Sequence, residues 1–239
     1  MRMNPILIIP ARMASARLPG KPLADIHGQP MIVHVMERAM ESKLGRVVVA
    51  CSETAVKAAV EKAGGEAVLT DPQLPSGSDR ILAALKIIDP AGKHDAVINV
   101  QGDLPTVEAR IIRAAFELLS RPETDIGTLA AVIVKKSEKN NPNVVKAVVE
   151  NGRALYFTRV PAPSGDGPLL HHIGLYAYKR AALEKFVAAA PSCLEKRERL
   201  EQLRALSIGL RIDVAVVDTV PLGVDTQEDL EEARRMLKK

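Results

Sequence analysis

Short, unbroken runs of Val and Ile recur through the first hundred residues, each followed by apolar residues at helical spacing. The runs at 6–9, 47–50, 67–69 and 96–100 are bounded by turn residues and read as buried strands. Between and after them, Ile32, Val35, Met36 and Ala39 fall at i, i+3, i+4 and i+7, as do Val56, Ala59, Val60 and Ala63. Ile81, Leu85 and Ile88 make a third stripe; Ile112, Ala115, Phe116 and Leu119 make a fourth. A strand without polar alternation must be covered on both faces, and a helix with one apolar stripe must bury it. Strand–helix–strand repeated in this way satisfies both demands in a parallel sheet with helices on its two faces. The fold class is therefore α/β, and ligands are expected beyond the carboxyl ends of the strands.

After about residue 125 the rhythm changes. Residues 128–134, 144–149 and 154–157 are strand-like and follow one another with no helix between. A turn-rich segment at 161–168 interrupts them. A strand at 174–178, a helix carrying Leu183, Phe186, Val187 and Ala190, a strand at 211–217 and a last helix from about Thr226 complete the pattern. No linker and no internal repeat divides the chain. The expectation is a single domain over 1–239 with a mixed-sheet subregion inserted at about 127–182.

Composition narrows the function classes. With 47% hydrophobic and 26% charged residues among 239, disorder and fibrous repeats are excluded. Two cysteines, Cys51 and Cys193, cannot form a zinc ribbon or a C-x-x-C redox site. No apolar stretch reaches the ~20 residues of a membrane span, and the run at 6–9 is too short for a signal-peptide core. A cytoplasmic protein with no membrane partner is expected. The net charge of +4 points to an anionic partner, but the basic residues are scattered and only six residues are aromatic. Base stacking would be poorly supplied, so a small phosphorylated ligand is expected rather than nucleic acid.

Three segments carry chemistry. Residues 10–22, PARMASARLPGKP, follow the first strand with three cations and a glycine. Backbone N–H groups and Ser15 can hydrogen-bond a polyphosphate while Arg12 and Lys21 neutralise it. This is not a Walker loop, since Pro22 follows the lysine, and no G-x-G-x-x-G occurs. A solvated basic loop is the plain alternative. Residues 99–105, NVQGDLP, end the fourth strand. There Asp103 beside a glycine suits Mg²⁺, which takes oxygen donors, or it stops the strand and caps the next helix. In residues 223–229, GVDTQED, Asp225 or Thr226 would make an N-cap with Asp229 completing a box, and capping is the default reading. Ser76-Gly77-Ser78-Asp79-Arg80 reads either as a base or ribose contact or as a plain helix start. His171 and His172 are adjacent, so in a strand only one faces a given site. Residues 201–204 read as a solvated helix.

In this order the segments resemble the 3-deoxy-manno-octulosonate cytidylyltransferase (CMP-Kdo synthetase) family over nearly the whole chain. The resemblance is carried by IIPARMASARLPGKPL at 8–23, NVQGDLP at 99–105 and GVDTQED at 223–229, with ALYFTR at 154–159, HIGLYAY at 172–178 and LEQLRAL at 200–206. It implies a Rossmann-like, three-layer nucleotide-diphospho-sugar transferase fold whose inserted sheet region makes a homodimer. It also implies a reaction of CTP with the sugar acid Kdo, giving CMP-Kdo and pyrophosphate for lipopolysaccharide biosynthesis. By the same resemblance Arg12 and Lys21 hold the triphosphate, with Ala11, Ser15 and Gln101 also at the nucleotide. Ser76, Gly77 and Arg80 contact cytosine and ribose, and Asp103 and Asp225 coordinate Mg²⁺. Gln101, Arg159, His172, Tyr176, Glu201 and Gln202 bind the sugar acid. Leu104, Met13, Ala14, Ala16, His171 and a shortened 160–170 stretch depart from the family pattern, mainly on the sugar side. They motivate the alternatives of an amino-substituted Kdo or a sialic acid as acceptor; a non-catalytic nucleotide-binding module is the reading from another class.

Overall fold

The computed structural model describes residues 3–14 and 17–238, which divide into two compact units. One comprises 1–113 with 221–239; the other, 114–220, is inserted into it. The unit 114–220 contains the subregion expected at about 127–182.

In the first unit, β1 (Pro5–Ala11) is the central strand, paired in parallel with β4 (Arg46–Cys51) on one side and β6 (Ala96–Asn99) on the other. Its Ile6, Leu7, Ile8 and Ile9 are wholly buried, as the unbroken apolar run requires. A ribbon of β2 (Asp25–Ile26) and β3 (Gln29–Pro30) leads into α1 (Met31–Glu41). Helix α1 buries the expected stripe of Ile32, Val35, Met36 and Ala39. After β4 come α2 (Thr54–Lys62), β5 (Ala67–Leu69) and α3 (Gly77–Ile88). Of the stripe expected in α2 only Val56 and Val60 are buried; Ala63 caps the helix and is exposed. Strand β5, expected to be buried, pairs within this unit with β4 alone, and Leu69 is 38% exposed. An edge strand has a neighbour on one side only, so part of its surface stays in water.

Helix α4 (Ala109–Glu117) leads into the second unit. There β7 (Ile126–Val132), the one-turn α5 (Lys136–Lys139), β8 (Lys146–Glu150), β9 (Arg153–Thr158) and β10 (Leu170–Lys179) follow. Next come α6 (Arg180–Ala188), α7 (Cys193–Glu198), α8 (Gln202–Ser207) and β11 (Ile212–Val217). Strand β10 runs antiparallel to β7 and touches β8; β7 is parallel to β11; β9 bridges β11 and β8. Pairing therefore closes on itself around five strands, which removes free edges. The mixed sheet matches the loss of strand–helix alternation after residue 125.

The chain returns to the first unit and ends in α9 (Gln227–Met236). Leu230 and Ala233 of this helix pack with Val224, Ile26 and Met31, against Leu18 and Ala24. That cluster ties the last 19 residues to the loop after β1. Among the described residues no helix is long and apolar enough to cross a membrane.

Candidate active site

The carboxyl ends of β1 and β6 open into a cavity of about 440 Å³ in the first unit. Its lining carries four cations, Arg12, Arg17, Lys21 and Arg80, against two carboxylates, Asp103 and Asp225. Such a surplus of positive charge suits a polyphosphate. Ala11, Ser76, Gly77 and Gln101 line it too, so the structure brings together the nucleotide and metal residues expected from the sequence. Ser15, the exception, lies outside the described residues.

Local geometry explains why each side chain arrives there. The loop after β1 is closed by Gly20 N–H to Met13 O at 3.2 Å, and Gly20 has φ +72°, a left-handed conformation that glycine adopts without strain. A one-turn 3-10 helix at Lys21–Leu23, with Pro22 in its first turn, then sets the direction of Lys21. Ser76 caps α3: its Oγ accepts the Asp79 N–H at 3.2 Å and donates to Asp79 Oδ2 at 2.6 Å. The helix-start reading of the 76–80 segment holds, and the capped start is also part of the cavity wall.

The capping alternatives for the two aspartates are resolved. Thr226 is the N-cap of α9, in a reciprocal box with Asp229. Asp225 only donates its own N–H to Asp229 Oδ2, at 3.0 Å, which leaves its carboxylate for other partners. Asp103 caps no helix, since α4 begins at Ala109; its carbonyl accepts the Val224 N–H at 2.9 Å. The Lys21 ammonium stands between the two: it donates to Asp103 Oδ2 at 3.0 Å, Asp225 Oδ1 at 3.1 Å and Val224 O at 2.9 Å. Arg17 meets the other Asp225 oxygen at 2.8 Å.

Arg80 is 2% exposed, with Nη1 on the Thr70 hydroxyl at 2.6 Å and Nη2 without a partner among the described residues. Burial pulls its pKa down, and the negative charge of Glu53 opposes that shift. Glu53, which the sequence did not single out, also accepts the Met13 N–H on Oε1 at 3.2 Å, while its Oε2 is buried without a partner among the described residues. It therefore braces the loop after β1 and offsets the charge of Arg80. Nothing in its neighbourhood of sequence signals this, since its partners come from two other segments. Arg17, present in the loop motif but given no role, is the second missed residue. Burial first, and Glu53 second, push the Cys51 thiol up to about 11, so it is inert.

The remaining candidates lie in the second unit. His172 is 7% exposed; its Nε2 lies 3.1 Å from the Thr128 hydroxyl, and burial followed by the proximity of His171 holds its pKa down at about 3. Its ring stands 4.7 Å from Phe157 and 5.6 Å from Tyr176. Burial raises the Tyr176 phenol well above its ordinary value, and Tyr178 and the charge of Glu201 add to this. Glu201 and Gln202 open α8, with Gln202 buried. His172, Tyr176 and Glu201 are thus neighbours. Arg159 is different: its guanidinium donates to the carbonyls of Glu198, Pro142 and Arg199 at 2.9, 2.9 and 3.2 Å. The 201–204 helix is not simply solvated, because Arg204 is 6% exposed and paired with Glu195.

Comparison with known proteins agrees with this geometry. Residues 6–212 match the cytidylyltransferase family. The chain is 63% identical to the 3-deoxy-manno-octulosonate cytidylyltransferase of Rhodospirillum centenum, covering 98% of this chain and 93% of that protein. It is also 63% identical to the one from Parvibaculum lavamentivorans, with the same coverage. A solved CMP:2-keto-3-deoxy-manno-octonic acid synthetase, complexed with CTP, superposes with a TM-score of 0.91 at 37% identity, covering 98% of both chains. On sequence and fold alike, the chain belongs to the 3-deoxy-manno-octulosonate cytidylyltransferase family.

Proposed function

We propose that the protein transfers CMP from CTP to 3-deoxy-manno-octulosonate, giving CMP-Kdo and pyrophosphate for lipopolysaccharide synthesis. The observation that carries this reading is the cavity after β1 and β6, where four cations and two carboxylates meet in a relative of a synthetase solved with CTP. An oxygen of the sugar acid's anomeric hydroxyl attacks the α-phosphorus; the bond from that phosphorus to the bridging oxygen breaks, and pyrophosphate leaves. The hydroxyl proton goes to solvent. Such a transfer needs positioning and charge neutralisation more than a nucleophilic side chain. Arg12, Lys21 and Arg80 neutralise and place the triphosphate end and the nucleoside, Ala11 and Ser15 add contacts from the loop, and the capped turn at Ser76 and Gly77 fits the cytosine and ribose.

The donor set fits Mg²⁺. Three oxygens, from Asp103, Asp225 and the Val224 carbonyl, already converge on one cationic nitrogen, and Mg²⁺ takes oxygen ligands. Among the described residues no cluster of three or more His, Cys, Asp or Glu side chains could hold a metal. A site of two carboxylates leaves the remaining positions to water and phosphate, which is the usual arrangement for Mg²⁺. Asp103 and Asp225 would hold the ion, which supplies positive charge on the phosphate oxygens.

For the acceptor, the family resemblance assigns His172, Tyr176, Glu201 and Gln202 of the inserted unit as hydrogen-bonding groups, and a neutral His172 suits a hydroxyl better than a carboxylate. Arg159 is assigned to the acceptor carboxylate on the family resemblance. The same resemblance supports a Rossmann-like, three-layer arrangement in one nucleotidyltransferase domain, a homodimer formed through the inserted region, and a cytoplasmic location, where CTP is available.

The test is pyrophosphate release from CTP and Mg²⁺ with and without Kdo. Release that depends on Kdo and stops with EDTA supports the reading. Release only with an amino-substituted Kdo or a sialic acid moves the acceptor assignment. CTP binding with no release from any acid sugar overturns the enzyme reading.

A further inference from the structure

We propose that Lys21 is a resident cation of the Asp103–Asp225 pair, which keeps a divalent metal out until the nucleotide arrives. This rests on the reading of that pair as the metal site and adds an order of events to it. An ammonium has three N–H donors and no more. In Lys21 all three have an acceptor within 3.1 Å: Asp103 Oδ2, Val224 O and Asp225 Oδ1. A lysine so engaged has no donor left for a phosphate. The expectation that Lys21 holds the triphosphate therefore requires it to leave the carboxylates first.

The charges point the same way. Asp103 and Asp225 carry two negative charges, and Lys21 and Arg17, bonded to them at 2.8–3.1 Å, carry two positive ones. A metal arriving alone would displace a cation whose side chain is only 14% exposed, with no new anion to receive it. CTP arriving with its metal supplies that anion: the triphosphate takes the ammonium as the carboxylates are released. Like charges a few ångströms apart resist joint occupancy strongly. The cavity therefore presents a carboxylate pair that is neutralised at rest and becomes available only in exchange for phosphate. Lys21 reaches it from 82 and 204 residues away in sequence, so the exchange is a product of the fold and not of a local motif.

The experiment measures Mn²⁺ alone by the loss of its free-ion paramagnetic resonance signal, without nucleotide. Lys21→Met should bind Mn²⁺ at least about tenfold more tightly than the wild type, since an opposite charge at this range holds a carboxylate's titration down by roughly 1–3 units and that hold is what the metal must replace. Lys21→Arg, which keeps the charge, should stay as weak as the wild type. Adding Asp103→Asn to Lys21→Met should abolish the gain. Lys21→Gln, read with circular dichroism, serves if the methionine variant does not fold. With CTP present, water-proton relaxation enhancement above that of Mn²⁺ and CTP without protein should report Mn²⁺ uptake by the wild type, and Asp103→Asn or Asp225→Asn should weaken that uptake. Equal Mn²⁺ affinity in wild type and Lys21→Met without nucleotide overturns the proposal while leaving the metal assignment standing. Mn²⁺ uptake with CTP that ignores both aspartate variants overturns the metal assignment, and the proposal with it.

Discussion

A Cβ on Gly102 would stand 2.5 Å from the carbonyl oxygen of Pro10. Gly102 follows β6 and Pro10 is the last residue but one of β1, so this approach holds the Asp103 turn against the start of the loop after β1. Both line the cavity. Gly102→Ala must push these backbones apart, at a cost of about 1–3 kcal/mol. The expected outcome is a lower melting temperature together with a higher KM for CTP. Thermal melts and initial-rate kinetics on the same preparation check it; unchanged kinetics would show that the two segments move independently.

Asp103→Asn and Asp225→Asn should each cut kcat by about 10²–10³, the loss typical of one missing electrostatic contact to the transition state. Neither residue caps a helix with its side chain, so the fold should survive in both, as far-ultraviolet circular dichroism would show. Near-normal turnover in one of them would remove that residue from the site.

Glu53 predicts a different kind of defect. Its carboxylate supports the Met13 N–H and the buried charge of Arg80 without lining the cavity. Glu53→Ala should raise KM for CTP several-fold more than it lowers kcat, because it loosens the loop after β1 and Arg80 rather than removing a reacting group. A Glu53→Gln variant, which keeps an acceptor for Met13 but not the charge, separates the two roles. An unchanged KM in both would leave Glu53 without a part in nucleotide binding.

His172 sets a pH dependence. Its folded pKa of about 3 lies below the ordinary 6.5, so between those values the unfolded chain binds the proton and the folded one does not. Stability is therefore full above about pH 6.5 and declines as pH falls towards 3. Urea melts from pH 7 to pH 4.5 should show the fall, and His172→Gln should flatten it. Its imidazole resonances should not titrate between pH 5 and 8.

Arg204 and Glu195 form a two-bond pair at 2.8 and 2.5 Å, both largely buried, with Glu195 also accepting the Ser192 N–H that starts α7. Burial would raise the Glu195 pKa; the bonds from Arg204 and Ser192 outweigh it and hold the carboxyl low. Its contribution is present above the ordinary value near 4.5 and lost as pH falls through the lowered one. Arg204→Ala leaves Glu195 buried without its partner and should cost about 3–5 kcal/mol in a denaturant melt. Arg204→Leu with Glu195→Leu should recover much of that loss; failure to recover would place the effect in the Phe186 ring under Arg204, 4.8 Å away.

What the sequence determined by itself is whatever depends on neighbours along the chain. Unbroken Val and Ile runs specified β1, β4 and β6 because a fully buried strand tolerates no polar alternation. The helix starts at 76–80 and at 225–229 were legible because capping groups lie three residues away, while the choice of Thr226 over Asp225 as the second cap was made by the fold. The loop at 10–22 and the aspartates at 103 and 225 were legible as candidates by residue type and by family resemblance, and one cavity collects them. The two-residue strands β2 and β3 and the one-turn α5 were not, since elements that short have no period to read. Tertiary structure alone decided the rest. Leu69 proved to sit at an edge, five strands of the inserted unit closed on one another, and Glu53 came to brace Met13 and Arg80. Lys21, Asp103 and Asp225 met at one point only because the packing of α9 against Ile26 and Met31 returns the end of the chain to its beginning. Hydrogen bonds and charges act over a few ångströms, and only the folded core fixes which distant residues come that close.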